Sequence, residues 1–307
     1  MTLRLAVFGQ APFGREVTEK LAKAGHEIAA VYAPPDAGRP DPLAELASEN
    51  DWLLHRYKRF RSKGEAIPEL VAEYLELDVD LNVMPFTTAI LPPEITDAPR
   101  HGSLCFHPSL LPAYRGGAAL AWQIMLGATE SGVSVFRVRD GVDAGPLVVQ
   151  RGGVAIDANE TMASLYFDKL FPIGVEAMIE AVGAVADGTA EYREQSTEGV
   201  SEQGLVTAEV ARIDWDSSAV TIDRKIRGCD PSPGAIADRD GEAIRVFGGS
   251  LSDASTDAPP GTIFAVDGDA VLVACGEGSV RVEKVRGPAG KKVTARDYGL
   301  AKDDQLN

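Results

Sequence analysis

The sequence predicts a wound α/β sheet with helices on both faces, followed by a small β domain of barrel type. Three observations carry this prediction. From residue 3 to residue 186, short apolar runs alternate with segments of helical spacing, the pattern of strands joined by crossover helices. Residues 189–210 then turn polar, rich in Glu, Ser, Thr and Gly, and read as a linker. Beyond them, short β-rich runs are separated by turn residues, as in small barrels. The expected domains are residues 1–204 and 205–307, in keeping with roughly 100–200 residues per domain.

Leu3 to Phe8 is an apolar run ending at Gly9. It reads as a first strand and not as a signal peptide, because no long apolar core with a small-residue cleavage site is present. Phe13 to Ala24 has helical spacing (Val17, Leu21) and is stopped by Gly25. Glu27 to Tyr32 is a second buried strand, Pro42 to Glu49 a helix, and Trp52 to His55 a short strand. Ile67 to Leu77 is helical, and Val79 to Pro85 is a strand ended by proline. Leu104 to Phe106 is apolar and leads into His107-Pro108; Ala118 to Leu126 is helical; Val133 to Val138 and Leu147 to Val149 are strands. Met162 to Ala186 is helical with a break near Pro172, and Gly188 suits the C-cap. After the linker, a helix fits Ala219 to Arg227, and strands fit Ala243–Phe247, Gly261–Val266, Ala270–Ala274 and Val280–Val285.

The formal net charge is −16, which disfavours a general nucleic-acid binder because phosphate backbones repel it. The acidity is uneven: 17 basic against 29 acidic side chains precede residue 205, and 13 against 17 follow. Residues 281–302 are locally basic, with seven cations (Arg281, Lys284, Arg286, Lys291, Lys292, Arg296, Lys302) against Glu283 and Asp297. Cys105, Cys229 and Cys275 are far apart and form no CxxC. This fits a reducing cytoplasm and argues against a disulfide framework or a zinc site, so no metal is expected. No apolar run approaches the ~18 residues of a membrane span, so no membrane partner is expected.

The strongest segment for chemistry runs from His101 to Gly117. An apolar strand delivers His107 to its C-terminal end, where ligands bind in wound sheets. Cys105, two residues earlier, shares its face of the strand. A second segment, Arg139 to Pro146, follows another strand and holds Asp140 and Asp143 around Gly141. A tight turn there could aim a carboxylate at His107, supplying an acid/base couple. The first βα turn, Gly9 to Gly14, lacks GxGxxG. It is either a ligand crossing point or a turn packed too closely for side chains. Arg56, Lys58, Arg59, Arg61 and Lys63, interleaved with Tyr57 and Phe60, are either a solvated loop or a seat for a polyanionic tail. The Gly287–Lys292 stretch only imitates a P-loop, since no Ser or Thr follows Lys291.

These segments resemble the folate-dependent formyltransferase family. Gly-Ser-Leu-Cys-Phe-His107-Pro-Ser-Leu-Leu-Pro112-x-x-Arg115-Gly is similar to its HxSLLP core, and Asp140-Gly-Val-Asp143-x-Gly-Pro146 to its D-x-G-x-D-x-G element. Ala211 to Trp215 and Ile226 to Ala235 resemble the second domain of the methionyl-tRNA formyltransferase branch. Ala6 to Gly14, Arg59 to Gly64, Leu81 to Phe86 and Ala98 to Ser103 look most like the N-terminal hydrolase domain of 10-formyltetrahydrofolate dehydrogenase. The resemblance implies a Rossmann-like formyltransferase or hydrolase domain followed by an OB-like β-barrel. It implies a stand-alone enzyme without NAD(P) dependence. The implied substrate and product are 10-formyltetrahydrofolate and tetrahydrofolate. Ala89, Ile90 and Leu91 would contact the pterin, Ser109, Leu110, Leu111 and Pro112 would line the formyl site, and Asp140 and Gly141 would complete the folate pocket.

The family's transferases carry an asparagine two residues before the histidine, where this chain has Cys105; the dehydrogenase's hydrolase domain also lacks it. A thiol is a weak donor, and losing one oxyanion donor typically costs ~10²–10³-fold in rate. Cys105 is a filler, a residual donor or a nucleophile. His107 and Asp143 are expected to be catalytic. Water is the preferred formyl acceptor. The alternatives are an amine (methionyl-tRNA, amino sugar or amino acid) and a non-catalytic folate-binding module.

Overall fold

The computed structural model describes residues 1–307. In chain order its first elements are β1 (Arg4–Phe8), α1 (Ala11–Lys23), β2 (Glu27–Ala33), α2 (Pro42–Glu49), β3 (Leu53–Arg56), β4 (Arg61–Ser62), β5 (Glu65–Ala66) and α3 (Pro68–Leu75). Then come β6 (Leu81–Met84), α4 (Pro93–Thr96), β7 (Ser103–His107), α5 (Ala119–Met125), β8 (Glu130–Arg137) and β9 (Leu147–Ala155). Helix α6 (Met162–Ser164), a π-helical stretch (Leu165–Leu170) and α7 (Phe171–Asp187) follow. The last elements are α8 (Ala208–Ala211), α9 (Ala219–Gly228), β10 (Ala235–Arg239), β11 (Glu242–Ser252), β12 (Ile263–Asp267), β13 (Ala270–Ala274), β14 (Ser279–Arg286) and β15 (Val293–Thr294).

Contacts divide the chain into two compact units. The first holds Met1–Gly117, Gly132–Gly153 and Leu170–Glu202; the second holds Ala118–Ser131, Val154–Lys169 and Gln203–Asn307. Segments 118–131 and 154–169, counted from sequence with the N-terminal domain, thus assemble with the C-terminal strands. Helix α5 packs on α9 at Gly228, where a Cβ would stand 2.7 Å from Met125 Cγ and 2.8 Å from the Ala121 oxygen. An apolar helix face shows that it is covered, not which core covers it.

The first unit's sheet has the order β3-β2-β1-β6-β7-β8-β9. It is parallel from β3 to β7, and β8 pairs antiparallel with β7. The order reverses at β1 and β6, which places the ligand crevice at their carboxyl ends. The buried Asn82 locks β6 to its neighbours: it accepts from Tyr74 Oη at 2.8 Å and donates to the Ile95 oxygen at 2.9 Å and Ser103 Oγ at 3.0 Å. The Phe106 ring packs tilted against Phe13, with ring centroids 4.4 Å apart. Gly174 admits this contact, since a Cβ there would lie 2.6 Å from the Phe106 ring.

Three details differ from the sequence reading. The basic run contains a hairpin, β4 with β5. The helix over 162–186 breaks near Pro172 as expected, but the break is a π-helical stretch over Leu165–Leu170 that the sequence did not suggest. Strand β10 was not expected, and it pairs with β11.

The second unit is an antiparallel sheet of order β10-β11-β14-β13-β12, with β15 on β14. Ile222 and Ile226 of α9 join Val246, Val271, Val280 and Val282 in its core. The C-terminal residues tie its edges: Leu306 bridges Arg239 of β10, and Gln305 bridges Thr262 beside β12. No helix is long and apolar enough to cross a membrane.

Candidate active site

Strand β7 turns Phe106 into the core and leaves Cys105 and His107 on the opposite face, as the two-residue period requires. His107 is buried. Its Nε2 lies 2.7 Å from the Tyr114 carbonyl oxygen; a carbonyl only accepts, so Nε2 carries its hydrogen and donates. Its Nδ1 faces Asp143 Oδ2 at 3.4 Å. The same Oδ2 accepts from the Gly116 amide at 2.7 Å.

Asp143 has a left-handed backbone (φ 48), which aspartate tolerates better than most residues. Gly145 makes the turn possible: a Cβ there would collide with the Arg137 carbonyl oxygen. The loop therefore lies flat against the end of β8 and presents its carboxylate to β7.

Cys105 packs against Leu111, Phe136 and Leu147. Burial pushes its thiol far above the ordinary range, and the Asp143 carboxylate pushes it further. The thiolate is the nucleophilic form, so this environment opposes a Cys105 nucleophile. Burial also pushes Cys229 and Cys275 up to about 11. Raised values leave less thiolate at pH 8. Iodoacetamide is thus expected to label all three at least ~10²-fold more slowly in the native than in the unfolded protein, measured by mass spectrometry. Fast labelling of Cys105 alone would restore the nucleophile.

The remaining expected residues divide. Ser109 is fully buried and donates to the Ala113 oxygen at 2.7 Å. Leu111 is buried, with its oxygen held by Gln150 Nε2 at 2.9 Å and its amide by Ser134 Oγ at 3.2 Å. Leu110 and Pro112 are half-buried. Thus Ser109 and Leu111 shape the loop through their interior bonds. Leu91 is also turned inward, packed with Phe8, Tyr32 and Met84, whereas Ile90 is 75% exposed. Ala89 half-covers a small pocket lined by Gln10, Tyr32, Lys58 and Thr88. Gly141 is exposed, and Asp140 lines an open cavity of about 850 Å³ with Arg61, Ala66, Val71, Pro92 and Glu94. That volume suits an organic ligand of several hundred daltons.

The first βα turn is packed closely: a Cβ on Gly9 would stand 2.7 Å from the Pro85 oxygen. The first turn of α1 already holds a carboxylate, since Asp41 Oδ2 accepts from the Ala11 amide at 2.7 Å. In the basic run, Arg56 is engaged by Asp36 and the Pro34 oxygen. Arg61 keeps a buried Nε without a partner, on the cavity wall. No group of three or more His, Cys, Asp or Glu is placed to hold a metal ion.

Sequence reasoning missed Gln195 and Ser201, which together with Arg115 of the His107 motif hold the loops around the His–Asp pair. Arg115 Nη2 donates to Gln195 Oε1 at 2.7 Å, and Ser201 Oγ accepts from the Tyr114 amide at 2.8 Å. No signal marked Gln195 or Ser201, because they lie in the polar stretch that reads as a linker.

The first unit is thus a mixed, mostly parallel sheet with a His–Asp pair at its carboxyl edge, and the chain continues into an antiparallel β domain. Residues 3–182 match the formyl transferase family model, and residues 205–301 match the model of the formyl transferase C-terminal domain. The chain belongs to the formyl transferase family. It is 39% identical over 267 residues to human mitochondrial 10-formyltetrahydrofolate dehydrogenase, covering 87% of this chain but 29% of that protein. It is 37% identical over 302 residues to methionyl-tRNA formyltransferase of Methylobacterium nodulans, covering 95% of this chain and 93% of that one. Among solved structures, HypX of Aquifex aeolicus in complex with tetrahydrofolic acid has a TM-score of 0.70 at 21% identity, covering 100% of this chain and 51% of that chain; this likeness shows the fold.

Proposed function

We propose that this chain removes the formyl group from 10-formyltetrahydrofolate, with water as the acceptor, giving formate and tetrahydrofolate. The observation that carries the reading is the His107–Asp143 pair beside Cys105, the position where the family's transferases have an asparagine. Water attacks the formyl carbon while Asp143 takes its proton, directly or with His107. A carbon–oxygen bond forms and charge collects on the formyl oxygen. His107 stabilises that oxyanion by sharing with it the Nε2 hydrogen that otherwise goes to the Tyr114 oxygen. The carbon–N10 bond then breaks, and the proton returns to N10.

The folate would occupy the open cavity lined by Asp140, Arg61 and Pro92. Arg61 offers its cation to the carboxylate end of the ligand. The three cysteines are unpaired, which supports a reducing, cytoplasmic setting.

Transfer to an amine is the second reading, favoured by the full-length likeness to a methionyl-tRNA formyltransferase. The basic stretch that would meet tRNA is partly spent within its own unit. Arg281 pairs with Asp267 and Glu283. Lys292 pairs with Asp230 at 3.0 Å and lies 3.7 Å over the Phe247 ring. Tetrahydrofolate release from 10-formyltetrahydrofolate, followed with and without amines or initiator tRNA, tests the readings together. Release without acceptor, matched by formate, is the expected result. Release only with an acceptor would establish transfer, and binding without release a non-catalytic module.

A further inference from the structure

Residues 183–204 lie between the two family matches. Most of residues 191–204 are exposed, but Gln195 and Ser201 are half-buried. Gln195 Nε2 donates to the Asp143 carbonyl oxygen at 2.7 Å and to that of Gly145 at 2.8 Å. Its Oε1 accepts from Arg115 Nη2 at 2.7 Å and Nε at 3.3 Å. Ser201 grips the same Arg115 loop: its carbonyl accepts from the Arg115 amide at 2.9 Å, and its Oγ from the Tyr114 amide at 2.8 Å. That loop supplies the Tyr114 oxygen that holds His107 Nε2 and the Gly116 amide that holds Asp143 Oδ2. The bonds close a ring through His107, residues 114–116, Asp143 and Gln195.

A primary amide suits the place that Gln195 takes in this ring. It offers two donors to two carbonyls and one acceptor to a guanidinium. A glutamate would turn a charged acceptor toward the two carbonyls, and a leucine would leave three polar partners unmatched.

We propose that Gln195 is a positioning residue for the His107–Asp143 pair. It fixes the backbone that carries Asp143 against the backbone that carries Gly116, and so sets the approach of the carboxylate to the imidazole. Gln195 acts through these loops and touches no reacting atom. The kinetic consequence rests on the deformylation reading above; the structural consequence does not. Misplacing a reacting group by about 1 Å can cost ~10²-fold in rate.

The test compares the full chain with its Gln195→Leu and Gln195→Glu variants, and with the exposed control Glu191→Gln. Two readouts are taken: kcat and KM for 10-formyltetrahydrofolate, and the ¹⁵N chemical shifts of the ring nitrogens in histidine-labelled protein. With only four histidines in the chain, the His107 signals can be assigned by substitution. Both Gln195 variants are expected to lose ~10–100-fold in kcat with KM within about threefold. The His107 signals should move while those of His26, His55 and His101 stay, and Glu191→Gln should match the parent. A merely structural role would lower the melting temperature and leave the His107 signals of the folded variant unchanged, which would overturn the proposal. If Gln195→Leu does not fold, Gln195→Glu, which keeps the size and the bond to Arg115, carries the test. If the parent protein shows no turnover, the deformylation reading falls, and the His107 signals still decide the positioning role.

Discussion

Asp143→Asn is expected to lower turnover of 10-formyltetrahydrofolate by ~10³-fold or more while folate binding changes by less than about threefold. Asparagine is chosen for three reasons. It tolerates the left-handed backbone at this position, φ 48. It keeps an oxygen for the Gly116 amide, which donates to Asp143 Oδ2 at 2.7 Å. It cannot accept a proton from water, so only the acid–base role is removed. Asp143→Ala should lose as much activity and also some stability, because it leaves the Gly116 amide unpaired and places alanine in a left-handed conformation that costs about 1 kcal/mol. His107→Ala should resemble Asp143→Asn in rate, since the two groups act as one unit. Single-turnover kinetics with ligand binding measured alongside would check this. Near-parental turnover in Asp143→Asn would remove Asp143 from the mechanism.

The second large effect is expected from a residue with no chemistry of its own. Gly145→Ala should destabilise the protein by about 1–3 kcal/mol, the range of overpacking, and abolish most turnover. The added Cβ meets the Arg137 carbonyl oxygen at the end of β8. That backbone has little freedom to give way, because the Arg137 amide is bonded to the Pro146 oxygen at 2.9 Å. The loop must lift, and Asp143 lifts with it. Urea midpoints measure the stability loss, and kcat/KM measures the displacement of the carboxylate. A variant with parental stability and activity would show that the close approach of this loop to β8 is not required.

How far each part was legible in sequence follows from the range of the forces involved. Strands β1, β2 and β6 and helices α1 and α2 were readable because apolar periodicity and Gly or Pro stops are local signals. His107 stood out because an apolar strand ran directly into it before a loop rich in Pro and Gly. The pairing of Asp143 with His107 could be suspected because both followed predicted strands. The 3.4 Å between them depends on β7 and β8 being sheet neighbours, which no local pattern encodes.

Gln195 illustrates the opposite case. A polar residue among Glu, Ser and Gly has the composition of a solvated linker, and only the return of that segment across the Asp143 loop gives its amide two carbonyls and a guanidinium to bond. The basic residues near the C-terminus show the same limit. Their count was plain, but the partners of Arg281 and Lys292 come from residues 267 and 230, brought close by the antiparallel sheet.

By itself, the sequence determined the two-part α/β then β organisation and most of the elements, and it marked His107 and Asp143 as candidates. Backbone propensity, hydrophobic period and motif spacing all act within a few residues. Only the tertiary structure decided that segments 118–131 and 154–169 join the second unit, that burial pushes the Cys105 thiol upward, and that Gln195 bonds the backbone that carries Asp143. Each of these depends on groups far apart in the chain coming within bonding distance, and burial and hydrogen-bond partners exist only once the chain has folded.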